Sequence, residues 1–163
     1  MPRTRFAHPR TLTEKYPPSA ACTCEVCLGY CARPGWWTVE EAAQAIQACL
    51  GARMMLEIPP EQTFGVLSPA FQGSEGGLAN NLAARRACTF LKNQRCELYS
   101  SGFMPLECRF CHHARPGLGA QCHADLESNW HTSQGQALVQ QWGEQTGFWE
   151  RMRLLRAGKR REG

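Results

Sequence analysis

Apolar residues recur every three or four positions in two segments of the chain, which is the spacing of one helix face. The first segment begins at Thr38, which forms a capping-box pattern with Glu41, and it is predicted to stop at Gly51. The second begins at Ser133 and continues through Gly143 and Gly147, although glycine disfavours a helix interior. The predicted core faces comprise Val39, Ala42, Ala43, Ile46, Cys49 and Leu50, and then Leu138, Trp142, Phe148, Trp149, Met152 and Leu155.

The middle of the chain has shorter patterns. "RMMLEI" at 53–58 predicts a short strand that two prolines end, and the glycine-rich stretch 65–81 is interpreted as a long loop. "CTFLKNQRCELY" predicts a tight hairpin with its turn near Lys92–Gln94, and "GLGAQCHADLESNW" predicts a short helix. The expected fold is an α-rich small α+β single domain, centred on metal, with irregular loops. Its predicted parts are an extended arm (1–21), a cysteine-cluster domain (22–132) and a C-terminal helix with a basic tail (133–163).

The number of cysteines adds the strongest evidence about function. The chain has ten cysteines among 163 residues. Its N-terminus lacks the apolar core of a signal peptide, and no apolar run approaches the roughly 18 residues of a membrane helix. These features predict a cytoplasmic protein without a membrane span, in which clustered thiols stay reduced and serve as metal ligands or redox groups. Five disulfides are the alternative for a secreted chain.

Nine of the cysteines form three groups in turn-rich sequence, and two of the groups contain a C-x-x-C spacing that lets both thiolates reach one centre. His112 and His113 adjoin the last C-x-x-C, so one of them is expected to bind metal or to orient a ligand, and His123 is a weaker candidate. Cys49 is expected to pack in the core. The predicted metal-site residues are Cys22, Cys24, Cys27, Cys31, Cys88, Cys96, Cys108, Cys111, Cys122 and His112.

The sequence leaves the metal open between an iron–sulfur cluster and zinc. Zinc would suit a Cys3His set drawn from Cys108, Cys111, Cys122 and a neighbouring histidine. The spacing of bacterial ferredoxins and that of radical-SAM enzymes are both absent. More than eight clustered thiols exceed the need of one structural zinc, which favours an iron–sulfur cluster or two metals.

Charge is concentrated at the C-terminus. Residues 151–163 carry six basic side chains and one acidic side chain, whereas the whole chain has a net charge of +4. The body is therefore close to neutral, and it lacks interleaved aromatic and basic residues, which disfavours a nucleic-acid surface. The partner remains an unidentified protein or small-molecule substrate, with nucleic acid at the basic tail as a less favoured alternative.

Four pieces of the sequence resemble the YkgJ-type cysteine-cluster family of zinc- or iron-chelating proteins. They are "CTCEVCLGYC" followed closely by "TVEEA", the segment "CTFLKNQRCELY", the segment "PLECRF", and the order of these pieces over residues 22–111. The chain departs from the family because Leu28, Gly29 and Tyr30 separate Cys27 from Cys31, and because Met104 replaces the usual arginine before Pro105. The resemblance implies metal binding through Cys24, Cys27, Cys31, Cys88, Cys96 and Cys108, and then through Cys22 and Cys111.

The flagellin lysine N-methylase has a similar cysteine cluster, and by analogy this implies an iron–sulfur centre used in redox chemistry or in a modification reaction. No methyl-donor site is recognisable in the sequence, so whether the chain is an enzyme stays undecided. The alternatives are a structural zinc module that binds a protein or nucleic acid, and a protein that stores or delivers metal.

Overall fold

The computed structural model describes residues 10–60, 63–80, 84 and 86–162. It is 47% helical and has the predicted architecture, a small α+β domain that includes a short antiparallel hairpin and a long C-terminal helical segment. The helices are α1 (Leu12–Lys15), α2 (Glu25–Ala32), α3 (Val39–Gln47), α4 (Leu106–Phe110), α5 (Gly119–Trp130), α6 (Ser133–Gln145) and α7 (Phe148–Arg161). The strands are β1 (Met54–Glu57), β2 (Val66–Pro69), β3 (Leu91–Lys92) and β4 (Arg95–Cys96), and a 3-10 turn covers Gly51–Arg53.

Local sequence explains where the first predicted helix begins and where the second is divided, whereas α3 ends at Gln47 and not at the predicted Gly51. Thr38 and Glu41 form the expected capping box at the start of α3. The predicted C-terminal helix is divided into α6 and α7 at Gly147, whose φ of 73° is a left-handed conformation that glycine adopts without steric cost. Within the first cysteine group, for which the sequence indicated only turn-rich surroundings, Glu25–Ala32 form the helix α2.

Both predicted strand features are present. β1 occupies the predicted strand and pairs antiparallel with β2, from Met54 opposite Pro69 to Glu57 opposite Val66. The prediction of loop across 65–81 was therefore wrong at 66–69, because this buried stretch pairs with β1 despite the preceding Gly65 and the terminal Pro69. β3 and β4 form the predicted hairpin, and the turn residues Asn93 and Gln94 have the positive φ angles that a tight hairpin turn requires.

Three fully buried tryptophans organise the core: Trp37, Trp130 and Trp142. Trp130 Nε1 donates to the Trp37 carbonyl at 2.8 Å, and Trp37 Nε1 donates to the Phe103 carbonyl at 2.7 Å. These bonds tie α5 to the start of α3 and to the loop before α4, and they satisfy indole groups that would be costly to bury unpaired. The segment that carries the C-x-x-C-H-H sequence is thereby fixed to the core.

The N-terminal arm also contacts this segment. Tyr16 is buried, the Ser19 amide donates to the Arg109 carbonyl at 2.8 Å, and the Arg115 guanidinium donates to the Pro17 carbonyl at 2.7 Å. Residues 1–9 of the predicted arm lie outside the described residues, and the predicted domain boundaries stay a prediction. Within the part of the chain that the structure describes, no helix is long and apolar enough to cross a membrane.

Candidate metal centre

One group of ligand atoms could hold a metal ion: Cys22, Cys24, Cys27 and His113, whose thiol sulfur atoms and imidazole nitrogen all lie within 4.8 Å of one another. His113 Nδ1 lies 3.5 Å from Cys22 Sγ and 3.4 Å from the Sγ atoms of Cys24 and Cys27. A tetrahedral zinc ion with bonds of about 2.3 Å to sulfur and 2.0–2.1 Å to nitrogen would place such atoms roughly 3.5 Å apart. The observed spacing therefore matches four ligands of one tetrahedral ion.

The start of α2 brings the three thiols together. Cys24 is the N-cap residue, and Cys27 lies in the first helical turn. Cys22 precedes the helix, and its Sγ accepts a hydrogen bond from the Cys24 amide at 3.5 Å. Cys27 is the single buried residue of α2. The His113 amide also donates to Cys27 Sγ at 3.4 Å, so His113 contacts this thiol through both its backbone and its ring.

The surroundings of these thiols give them different pKa values. The nearby Cys27 amide, followed by the Cys22 thiol, lowers the pKa of Cys24 to about 7. Burial raises the pKa of Cys27 to about 11. At neutral pH Cys24 is therefore partly a thiolate ready to bind metal, whereas Cys27 must lose its proton when the ion enters.

The two adjacent histidines have different surroundings. His113 belongs to the ligand group, but the Nδ1 atom of His112 accepts the Ala114 amide at 3.0 Å, and its ring packs on that of His113 with centroids 4.1 Å apart. The sequence pointed to both histidines as candidates, and His112 was the predicted ligand. His113 reaches the three thiols because of the path that the chain takes after α4, and no pattern in the sequence shows that path.

A second group of cysteines lines a narrow cavity: Cys31, Cys88, Cys96 and Cys108. Burial raises the pKa of Cys88 to about 11 and that of Cys108 well above its usual range. It also raises the pKa values of Cys31 and Cys96. Among the described residues, only the first group has all its ligand atoms within 4.8 Å, so the second group is more widely spread.

The remaining cysteines lie outside both groups. Cys122 is fully buried in the hydrophobic core, and burial raises its pKa to about 12. Burial also raises the pKa of Cys111 to about 11. Cys49, predicted to be a core residue, is exposed, with a φ of 66° just beyond the end of α3. That prediction was wrong because the helix ends at Gln47 and the left-handed turn directs the thiol away from the core.

His123 is held by a carboxylate. Its Nδ1 lies 2.7 Å from Glu107 Oε2, and its ring packs on Trp36 with centroids 4.1 Å apart. The hydrogen bond to Glu107 raises the pKa of His123. These contacts engage the His123 imidazole with Glu107 of α4 and with Trp36.

Comparison of the chain with protein-family models, with curated proteins and with solved structures gave no match. The resemblance to the YkgJ-type family accordingly stays a prediction.

Proposed function

We propose that this chain is a metalloprotein in which Cys22, Cys24, Cys27 and His113 bind one tetrahedral metal ion, with zinc as the ion that the geometry favours. The observation that carries the proposal is the 3.4–3.5 Å spacing between His113 Nδ1 and the three sulfur atoms. The four ligands of an iron–sulfur cluster are divided among two or more iron atoms, so they do not all lie within the contact distance of ligands that share one ion. An iron–sulfur centre for redox chemistry or a modification reaction, which the sequence favoured, stays a prediction.

The adjacent histidines provide a matched test. His113→Ala removes one of four ligands, so we expect it to lose one metal equivalent per chain during passage over a competing chelator. His112→Ala makes the same change one residue away and should retain the metal. The measurement is metal and acid-labile sulfide per chain, on tag-free protein that is purified without oxygen. Equal metal content in the two variants, or loss in His112→Ala alone, would refute the assignment.

A groove on α7 favours a second function, as a protein-interaction module that a structural metal stabilises. The groove has a volume of about 610 Å³, and its apolar floor includes Leu56, Ile58 and Leu78. Ile58 and Leu78 are 57% and 42% exposed, so both side chains are accessible to a partner at this groove. This surface has the size and chemistry of a site for an amphipathic helix.

Basic residues on the rim of the groove specify the charge of the partner. Arg153 pairs with Glu150 at 2.5 Å, whereas Arg156, Arg160 and Arg161 also line the groove and have no ion pair among the described residues. A partner with acidic residues beside an apolar face would pack its apolar face on the floor of the groove and pair its acidic residues with the basic rim. We therefore assign the groove to an acidic amphipathic segment of another protein, and the basic tail becomes part of this surface.

Charge reversal tests this surface. We expect the Arg156→Glu/Arg160→Glu double variant to weaken binding of a synthetic acidic, leucine-faced helical peptide by roughly tenfold or more, because two attractive contacts become repulsive. Lys159→Glu is the control, since Lys159 is on α7 but does not line the groove. Fluorescence anisotropy gives the affinities. Equal weakening by Lys159→Glu, or binding only to vesicles that contain phosphatidylserine, would exclude a specific peptide groove.

A further inference from the structure

The cavity of the second cysteine group is formed by parts of the chain that are distant in sequence. Cys31 comes from the last turn of α2, Cys96 from β4, Cys108 from α4, and Cys88 from the segment before the hairpin. The cavity has a volume of about 20 Å³, which is large enough for one ion-sized occupant because a single water needs roughly 10–15 Å³. Its other walls are mainly apolar, and they include Phe90, Leu98 and Met104.

Backbone amides lie near three of these sulfur atoms. The Phe90 amide lowers the pKa of Cys88, the Leu98 and Tyr99 amides lower that of Cys96, and the Gly35 amide lowers that of Cys108, although burial outweighs each of them. The amides near Cys88 and Cys96 belong to residues two or three positions after the cysteine. Amides in such positions stabilise and orient a metal-bound thiolate, and they form the outer shell of thiolate–metal sites.

Gly35 shows how closely the backbone approaches the group. A Cβ atom at this position would lie 2.5 Å from Cys108 Sγ and 3.0 Å from the Cys108 nitrogen. Only glycine therefore allows the loop before α3 to pass this close to Cys108 without displacing the thiol. Cys108 lines the cavity together with the other three cysteines.

We propose that Cys31, Cys88, Cys96 and Cys108 form a second metal site, separate from the Cys3His group, that takes a soft metal bound by four thiolates. An all-thiolate set selects zinc, iron or an iron–sulfur cluster over hard cations, which prefer oxygen ligands. The site uses none of the first group's ligands. It therefore goes beyond the function proposed above and does not depend on it.

The same two segments serve both sites. Cys27 and Cys31 are four residues apart on one face of α2, about one helical turn, and the chain passes from Cys108 in α4 to His113 within five residues. Metal at either site would thus restrain segments that the other site needs. We expect the second metal to bind more weakly when the first is lost, although its ligands are intact.

The test counts metals in variants that separate the sites. Metal is measured by mass spectrometry of the native protein and by elemental analysis, with acid-labile sulfide measured alongside, after anaerobic purification from cells supplied with zinc and iron. The wild-type chain is expected to hold two metal centres. Cys96→Ser should lose only the second, because serine is a poor ligand for a soft metal, and His113→Ala should lose the first directly. Iron with equal sulfide would identify a cluster, and metal without sulfide a single ion.

Two further variants test whether a change in metal content is specific to the second site. Cys49→Ser removes an exposed thiol outside both groups and should leave both centres in place. Gly35→Ala keeps all ten thiols but displaces Cys108, so it should weaken the second centre by about 10–100-fold, the range seen for outer-shell changes. A wild-type chain with a single metal that disappears in His113→Ala, or a folded Cys96→Ser variant with unchanged metal content, would overturn the second site.

Discussion

Removing bound metal by chelation is expected to release α2 from the domain. Of the eight residues of α2 only Cys27 is buried, while Val26 and Tyr30 are 54% and 41% exposed. The helix therefore has little apolar contact to hold it in place, and its attachment depends on the cysteines that it carries. Structural zinc supplies about 10–16 kcal/mol of apparent binding free energy in small zinc-dependent peptides, far more than one buried side chain.

Hydrogen exchange measures this release. We expect amide protection across residues 24–33 to fall by at least about 100-fold after chelation, which corresponds to roughly 2.7 kcal/mol of local opening free energy. Protection in α6 should change little, because α6 is anchored by Leu138, Val139 and Trp142 in the hydrophobic core.

Cys24→Ser provides the same comparison without a chelator. It should reproduce the loss of protection in the first turn of α2, which carries ligands of the first site, whereas Cys49→Ser, outside the site, should not. Protection of α2 that is unchanged in metal-free protein would show that packing alone holds the helix, which would contradict a structural role for the first metal.

Replacing Trp130 by alanine is expected to lower the free energy of unfolding by about 3–5 kcal/mol, the usual cost of removing a large aromatic side chain from a core. Trp130 is fully buried, and its indole donates to the Trp37 carbonyl, which the substitution would leave without this donor. The loss is a large part of the roughly 5–15 kcal/mol that stabilises a typical domain.

Urea unfolding of the metal-loaded protein measures the effect of Trp130→Ala. Trp130→Phe should cost less, since the phenyl ring keeps most of the apolar contact and loses the hydrogen bond and the contacts of the second indole ring. Leu154→Ala is the surface control, because Leu154 is 57% exposed, and it should change the free energy of unfolding by no more than about 0.5 kcal/mol. Similar losses for Trp130→Ala and Leu154→Ala would show that the indole chain Trp130–Trp37–Phe103 does not organise the core.

Local signals predicted most of the fold. The Thr38 capping box, the hairpin with its turn at Asn93–Gln94, and the β1 strand are short-range features, and each occurs where the sequence indicated. The misassigned strand β2 depends on a partner: Val66 and Leu67 are apolar residues whose conformation is decided by pairing with β1. Pairing is a long-range property, so the flanking glycine and proline gave the wrong indication.

By itself the sequence determined that the chain is rich in helix, that its basic charge is at the C-terminus, and that its cysteines are spaced as metal ligands. Only the tertiary structure divided those cysteines into two groups, selected His113 over His112, and assigned Cys122 to the core. The physical reason is that the ligands of one metal must lie close together in space, even when they are far apart in the sequence. Cys27 and His113 are 86 residues apart, and Cys31 and Cys108 belong to different helices, so their meeting depends on how α2 and α4 pack in the folded domain.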